Sequence, residues 1–130
     1  MQKLILIITT LIITSFNSMA QNDGIDVISV AIKSGNAKEI SKHFDSSISL
    51  KILNKEDVYS KAQAEIIIKD FIMKNPIKNY ISKHTGTSKN GAQYTIGQIT
   101  TSTQNFRTYY FIKKVGDIFL MQEFRIENEN

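Results

Sequence analysis

Apolar and polar positions along this chain change period several times, and each change marks an element. From Ile25 the apolar residues fall at Ile25, Val27, Ile28, Ala31 and Ile32, the i, i+3, i+4, i+7 spacing of an amphipathic helix. Gln21-Asn22-Asp23-Gly24 reads as a frayed lead-in, Asp23 or Asp26 supplies a cap, and Gly35 suits the left-handed residue that ends the helix. Asn36 predicts a second cap, with Glu39 at the third helical position as in a capping box, and Ala37, Ile40 and Phe44 form that short helix's apolar side. Period two then takes over: Ile48, Leu50 and Ile52 alternate with Ser47, Ser49, Lys51 and Leu53, the pattern of a half-buried strand over residues 46–53. Asn54-Lys55-Glu56-Asp57 reads as a turn, after which Val58-Tyr59 has room for a short strand.

The third helix carries the fullest set of signals. Ser60 with Gln63 makes a capping box, Glu65 lies near the positive end of the helix dipole, and Pro76 forces an end at Asn75. Ala64, Ile67, Ile68, Phe71 and Ile72 form one apolar stripe, opposite Lys61, Glu65 and Lys69. Burial of that stripe holds the helix, because each surface i, i+4 pair is worth only about 0.2–0.5 kcal/mol. Four strands follow, over roughly 77–88, 92–104, 106–115 and 117–127, with Asn90-Gly91 the strongest hairpin signal in the chain. Gln104-Asn105 and Val115-Gly116-Asp117 mark the next two turns. The expectation is one α+β domain in which a helix feeds a curved meander whose apolar face is covered or left open as a pocket.

That order of elements resembles the nuclear transport factor 2-like (cystatin-like) fold, a cone of two short helices and one long helix on a curved antiparallel sheet. Segments along the chain sharpen the likeness. Tyr59-Ser60-Lys61-Ala62-Gln63-Ala64-Glu65, Lys83-His84-Thr85-Gly86, Tyr94-Thr95-Ile96-Gly97, Phe106-Arg107-Thr108-Tyr109-Tyr110 and Gln122-Glu123-Phe124-Arg125-Ile126-Glu127 resemble a family of small exported proteins, domain of unknown function 4783, found mostly in Bacteroidetes-type bacteria. The resemblance implies the cone fold and a periplasmic or cell-envelope address. It brings no activity and no catalytic residues.

Composition narrows the classes further. Lys3, the apolar run Leu4 to Ile13 and Ser18-Met19-Ala20 form a cleavable export signal over 1–20, with 21–130 as the single mature domain. The run is shorter than the roughly 20 apolar residues of a membrane span, and Gln21 after the cut excludes a lipid anchor on cysteine. The expected location is the periplasm or cell envelope, or outside the cell. Without cysteine the fold has neither disulfides nor thiol chemistry. Removing Lys3 leaves 15 basic against 12 acidic side chains, scattered and almost all lysine, with arginine only at 107 and 125. A nucleic-acid binder concentrates its cations on one face, so none is expected as a partner.

Candidate chemistry is sparse. On the last strand Gln122 shares the alternation of Ile118, Leu120, Phe124 and Ile126, so it needs a partner, either a neighbour in the protein or a ligand in the cone, unless it sits at the sheet's open rim. Tyr80, Ser82 and His84 fall on one face of their strand, and Tyr94, Ile96 and Gln98 on one face of the next. If those faces meet inside the cone they line a pocket with a histidine and two phenols. His84 could act as a base there, but nothing in the spacing supplies an orienting acid. His43 and Asp45 are two residues apart at a helix end, a poor dyad and a poor metal site, and His43 reads better as a cation favoured by the helix dipole. Asp57 and Asp70, candidates for an isomerase-type carboxylate, fall in a turn and off the apolar stripe. Arg107 and Arg125 suit anion binding or cross-strand pairing, and Tyr109, Tyr110, Phe111 and Phe119 suit a core or a dimer surface. No phosphate-loop, nucleophile-elbow, zinc-helix or dinucleotide motif occurs. The sequence therefore favours non-enzymatic binding of a small apolar or amphipathic ligand in the cone, with Gln122, Tyr94, Tyr80, His84, Gln98 and Phe124 as candidate contacts and no cofactor or metal. The alternative is an interaction or homodimer module with a filled cone. An isomerase or dehydratase using His84 or a carboxylate ranks below both.

Overall fold

The computed structural model describes residues 23–88 and 90–130; the export signal expected over 1–20 lies outside the described residues. Helix α1 spans Asp23–Ser34 and ends at Gly35, whose φ of 66° is left-handed and whose N–H donates to the Ile32 carbonyl over 3.1 Å. Helix α2 spans Ala37–Ser41, and the Asn36 side chain accepts from the N–H groups of Lys38 and Glu39. The expected capping box there is only half formed. Glu39 pairs with Lys42 at 2.7 Å, while the Asn36 N–H donates to Ser34 Oγ. A nearby ammonium outcompetes one backbone N–H for that carboxylate.

Strand β1 (Phe44–Ile52) and strand β2 (Lys55–Ser60) form a hairpin in which Ile52 faces Lys55. The turn is therefore Leu53-Asn54 alone, and Lys55, Glu56 and Asp57 belong to β2, not to the turn expected from their polarity. Leu53 has a φ of 56°, the only positive value on a non-glycine among the described residues. That conformation costs a β-carbon-bearing residue about 1–2 kcal/mol. It is held by the Leu53 N–H donating to the Ile126 carbonyl at 2.7 Å.

Helix α3 (Lys61–Lys74) starts with both halves of its capping box, Gln63 N–H to Ser60 Oγ at 3.2 Å and Ser60 N–H to Gln63 Oε1 at 3.4 Å. Its stripe buries Ala64, Ile68 and Phe71, with Ile67 and Ile72 partly covered. After Pro76 come β3 (Ile77–Thr87), β4 (Gln93–Thr101), β5 (Asn105–Val115) and β6 (Ile118–Asn128). Gly91 takes the left-handed position of the β3–β4 turn, φ 75°.

The six strands form one sheet in the order β2-β1-β6-β5-β4-β3. All neighbours are antiparallel except β1 and β6, which run parallel, so the sheet is mixed and not wholly antiparallel. A parallel pair needs a long crossover, and β2, α3 and the β3–β5 meander supply it. Phe106, Tyr110, Ile112, Met121, Phe124, Ile126, Ile99 and Leu50 point from the sheet into a core closed by Ile28 and Ile32 of α1, Ile40 of α2 and Ile68 and Phe71 of α3. Both sheet edges discourage strand addition: β2 opens with three charged residues, and β3 is interrupted by register shifts next to Lys78 and Lys83.

Those shifts and one on β6 govern which side chains face inward. In β3 the register moves from Ser82↔Gly97 to His84↔Ile96, leaving Lys83 as the extra residue. In β6 it moves from Phe111↔Glu123 to Ile112↔Met121, leaving Gln122 extra. A bulge reverses the alternation of every side chain beyond it.

Candidate functional site

The six residues expected to line the cone do not share one place. Tyr80 and Phe124 are in the core, at 6% and 0% exposure. Tyr94, His84 and Gln98 are on the opposite, outer face of the sheet. Partners in register share a face, and Thr95, Gly97 and Ile99 take the inner face of β4, so Tyr94, Ile96 and Gln98 take the outer one. The bulge at Lys83 sends His84 to that same outer face. There its Nε2 lies 3.2 Å from the Tyr94 hydroxyl, exposed to solvent, while Gln98 donates to Glu129 at 2.6 Å. Gln122 leaves the apolar row expected for it because it is the bulge residue. Its amide donates to Asp45 Oδ2 at 2.7 Å, and this bond holds the Asp45 carboxyl below its ordinary value. Asp45 itself sits where β1 shifts register against β6, so one hydrogen bond ties two irregularities together.

His43 also differs from its expected state. Burial lowers its pKa below the ordinary 6.5, so the fold favours the neutral ring over a dipole-stabilised cation. The unfolded chain binds the proton more readily, so His43 contributes stability that is complete above about pH 6.5 and is lost as pH falls. His43→Gln is expected to flatten the melting temperature between pH 7 and pH 5. An unchanged decline over that interval would refute it. The window is separate from that of Asp45, whose contribution is lost below about pH 4.

Inside the cone the polar groups converge beneath α1. Tyr110 donates its hydroxyl to the Ile25 carbonyl at 3.2 Å and lies 3.4 Å from Ser29 Oγ. The hydroxyls of Tyr80, Thr95 and Thr108, on the neighbouring strands, cluster around that of Tyr110 without a well-formed hydrogen bond. Burial raises the pKa of both phenols, which keeps them neutral. Because a buried unpaired hydroxyl is costly, Tyr80→Phe should raise stability by about 1 kcal/mol, whereas Tyr110→Phe, which removes a made hydrogen bond to the Ile25 carbonyl, should lower it by about as much. Chemical unfolding of the pair measures the contrast, and equal losses in both variants would contradict it.

Among the surface cavities, the one with the most apolar lining opens between α3 and the β1–β2 hairpin. It is a groove of about 580 Å³, within the usual range for small-molecule sites. Leu50, Ile52, Ile67 and Phe71 form its floor, and Leu53, Tyr59 and Ile66 its walls. Ile66, on the groove side of α3, is 67% exposed. Lys55, Asp70, Lys74 and Asn75 supply the polar rim, where Lys74 pairs with Asp70 at 3.1 Å. One feature of the sequence pointed here: Ile66-Ile67-Ile68 is one isoleucine too many for a single buried stripe.

The outer sheet face is a second candidate surface. Tyr94 and Tyr109 lie nearly parallel, centroids 6.2 Å apart, beside the half-exposed Ile96 and Phe111. Next to them Arg125 binds Glu123 and, at 3.1 Å, Glu56, and Arg107 lies 3.8 Å from Glu127. Both arginines thus already face carboxylates. Among the described residues no group of three His, Cys, Asp or Glu side chains could hold a metal ion, and no helix is long and apolar enough to cross a membrane.

Comparison with known proteins agrees with this architecture. A DUF4783 family protein from Bacteroides ovatus is 27% identical, with a TM-score of 0.75 over 80% of this chain and 94% of that one. One from Bacteroides uniformis is 26% identical, with a TM-score of 0.75 over 81% and 96%. A nuclear transport factor 2-like protein of unknown function from Cytophaga hutchinsonii shares the fold alone, at 8% identity and a TM-score of 0.57 over 80% and 85%. Among curated proteins nothing matches. The family model described as "Domain of unknown function (DUF4783)" matches residues 25–127, and the chain belongs to that family, on a nuclear transport factor 2-like fold.

Proposed function

We propose that the protein is an exported, non-enzymatic binding protein for a small apolar or amphipathic ligand, held in the groove between α3 and the β1–β2 hairpin. The observation that carries this reading is the groove's apolar floor and the 67% exposure of Ile66 beside it. Of the two open apolar residues on α3, Ile66 and Met73, it is Ile66 that stands on this groove, where an apolar ligand would cover it. The deeper cone is filled by Phe106, Tyr110 and Phe124, so a ligand would lie at the mouth and not among the residues that sequence alternation selected. His84 faces solvent on the far side of the sheet, and Asp70 is paired with Lys74, which disfavours acid–base catalysis at either.

Nile red, a neutral apolar dye, tests the reading. Wild-type protein is expected to bind it with a blue-shifted emission, and Ile66→Glu, which sets a charge on the wall at an exposed helix position, is expected to abolish binding with the circular dichroism unchanged. No binding by the wild type, or equal binding by the variant, would overturn it. Amino-terminal sequencing of protein from the cell envelope tests export: a start near Gln21 supports it and a start at Met1 refutes it.

The outer face favours a second reading, a homodimer or interaction module. The near-parallel Tyr94 and Tyr109, with Ile81 and Val58 exposed at 49% and 63%, give that face an apolar share. Sedimentation at two concentrations decides: a dimer lost in Tyr109→Lys supports this reading, and a monomer at both concentrations removes it.

A further inference from the structure

We infer that the groove takes a single-chain amphiphile with an anionic head, a carboxylate or phosphate on one alkyl chain, lying with its chain on the floor and its head at Lys55. The inference rests on the groove being a ligand site, and two further observations deepen that reading.

The first is the charge at the rim. Asp70, the acidic member of the lining, is paired with Lys74 at 3.1 Å, whereas Lys55 is exposed and makes no ion pair among the described residues. Lys55 is the first residue of β2, directly across the hairpin from Ile52, so an ammonium stands at the end of an apolar floor. That sequence of surfaces, apolar and then cationic, complements a molecule that is alkyl and then anionic. The rim's uncompensated charge is positive, which works against a cationic head.

The second is the backbone at Leu53. A two-residue hairpin turn with a left-handed first residue normally carries glycine there, yet this chain places a leucine at φ 56°. The turn is pinned by the bond from Leu53 N–H to the Ile126 carbonyl. Strain retained against an available relief points to a use for the side chain, which both packs against the core and lines the groove. Leucine at this position sets an apolar lip on the groove, two residues before the free cation. Glycine or asparagine would relax the turn and remove the lip.

Calorimetric titration with dodecanoate, dodecyl phosphate and the neutral glycerol monolaurate, all below their aggregation concentrations, tests the assignment. Both anions are expected to bind at least tenfold more tightly than the neutral ester. Lys55→Gln is expected to bring the three within twofold, while Lys113→Gln, an exposed lysine on β5 away from the groove, keeps the preference. Leu53→Asn, which tolerates the left-handed turn, should weaken all three about tenfold. Equal affinity of anionic and neutral ligands, or a preference that survives Lys55→Gln, would overturn the anionic assignment and leave the groove as a site. Failure of all three ligands to bind would overturn both. A difference between the two anions identifies the head group.

Discussion

Replacing Phe106 with alanine is expected to lower the unfolding free energy by about 3–5 kcal/mol. Phe106 is fully buried on the inner face of β5, opposite Ile99 of β4. Its ring meets Phe71 of α3 edge to face, with centroids 5.1 Å apart and planes at 76°. Alanine there loses the transfer energy of the ring and the aromatic contact, and leaves a hole bounded by a helix and a sheet that cannot both close on it. Domains of this size hold only about 5–15 kcal/mol in total, and this one has no disulfide to limit the unfolded state. Urea unfolding checks the value. A loss below about 1 kcal/mol would mean that α3 is not anchored through Phe106.

The second large effect is at Gly97. A β-carbon there would lie 2.5 Å from the Tyr80 hydroxyl and 2.7 Å from the Ile81 carbonyl oxygen. Gly97 is the gap in the inner face of β4 across which the Tyr80 ring lies. Gly97→Ala should therefore cost about 1–3 kcal/mol, through displacement of that ring and of the β3 backbone. A double-mutant cycle separates the two. In a Tyr80→Leu background the cost of Gly97→Ala should shrink without vanishing, since the Ile81 carbonyl remains. An identical cost in both backgrounds would show that the glycine is kept for β3 alone.

These two positions also show where sequence reading succeeded and where it stopped. Helix α3 was legible because its signals are local: Ser60 and Gln63 bond each other, Pro76 ends the run, and the stripe from Ala64 to Phe71 is buried. Gly35 and Gly91 were legible for the same reason. The facing of β4 was not. Tyr94 and Ile96 are larger than Thr95 and Gly97, so size and apolarity select the wrong face. The inner face carries small residues because Tyr80 and Tyr110 need the space, a fact about other strands. Bulges at Lys83 and Gln122 defeated alternation in a second way, each turning side chains over without any local residue signal. The groove was hidden for a third reason. It is built from one helix, one turn and one edge strand, and only the surplus isoleucine at 66 hints at it from the chain.

The position of β6 sets the order in which this molecule can fold. The β1–β2 hairpin joins the rest of the sheet only through β6, the sixth strand in chain order, which lies between β1 and β5. Until β6 has been made, α3 has a hairpin on one side and a three-strand meander on the other, with no backbone hydrogen bonds to unite them. The hairpin and the meander would thus remain separate pieces until nearly the whole domain had been made. The pairing of β1 with β6 spans most of the domain, and contacts of such long sequence separation form slowly. The same strand that closes the fold therefore also delays it.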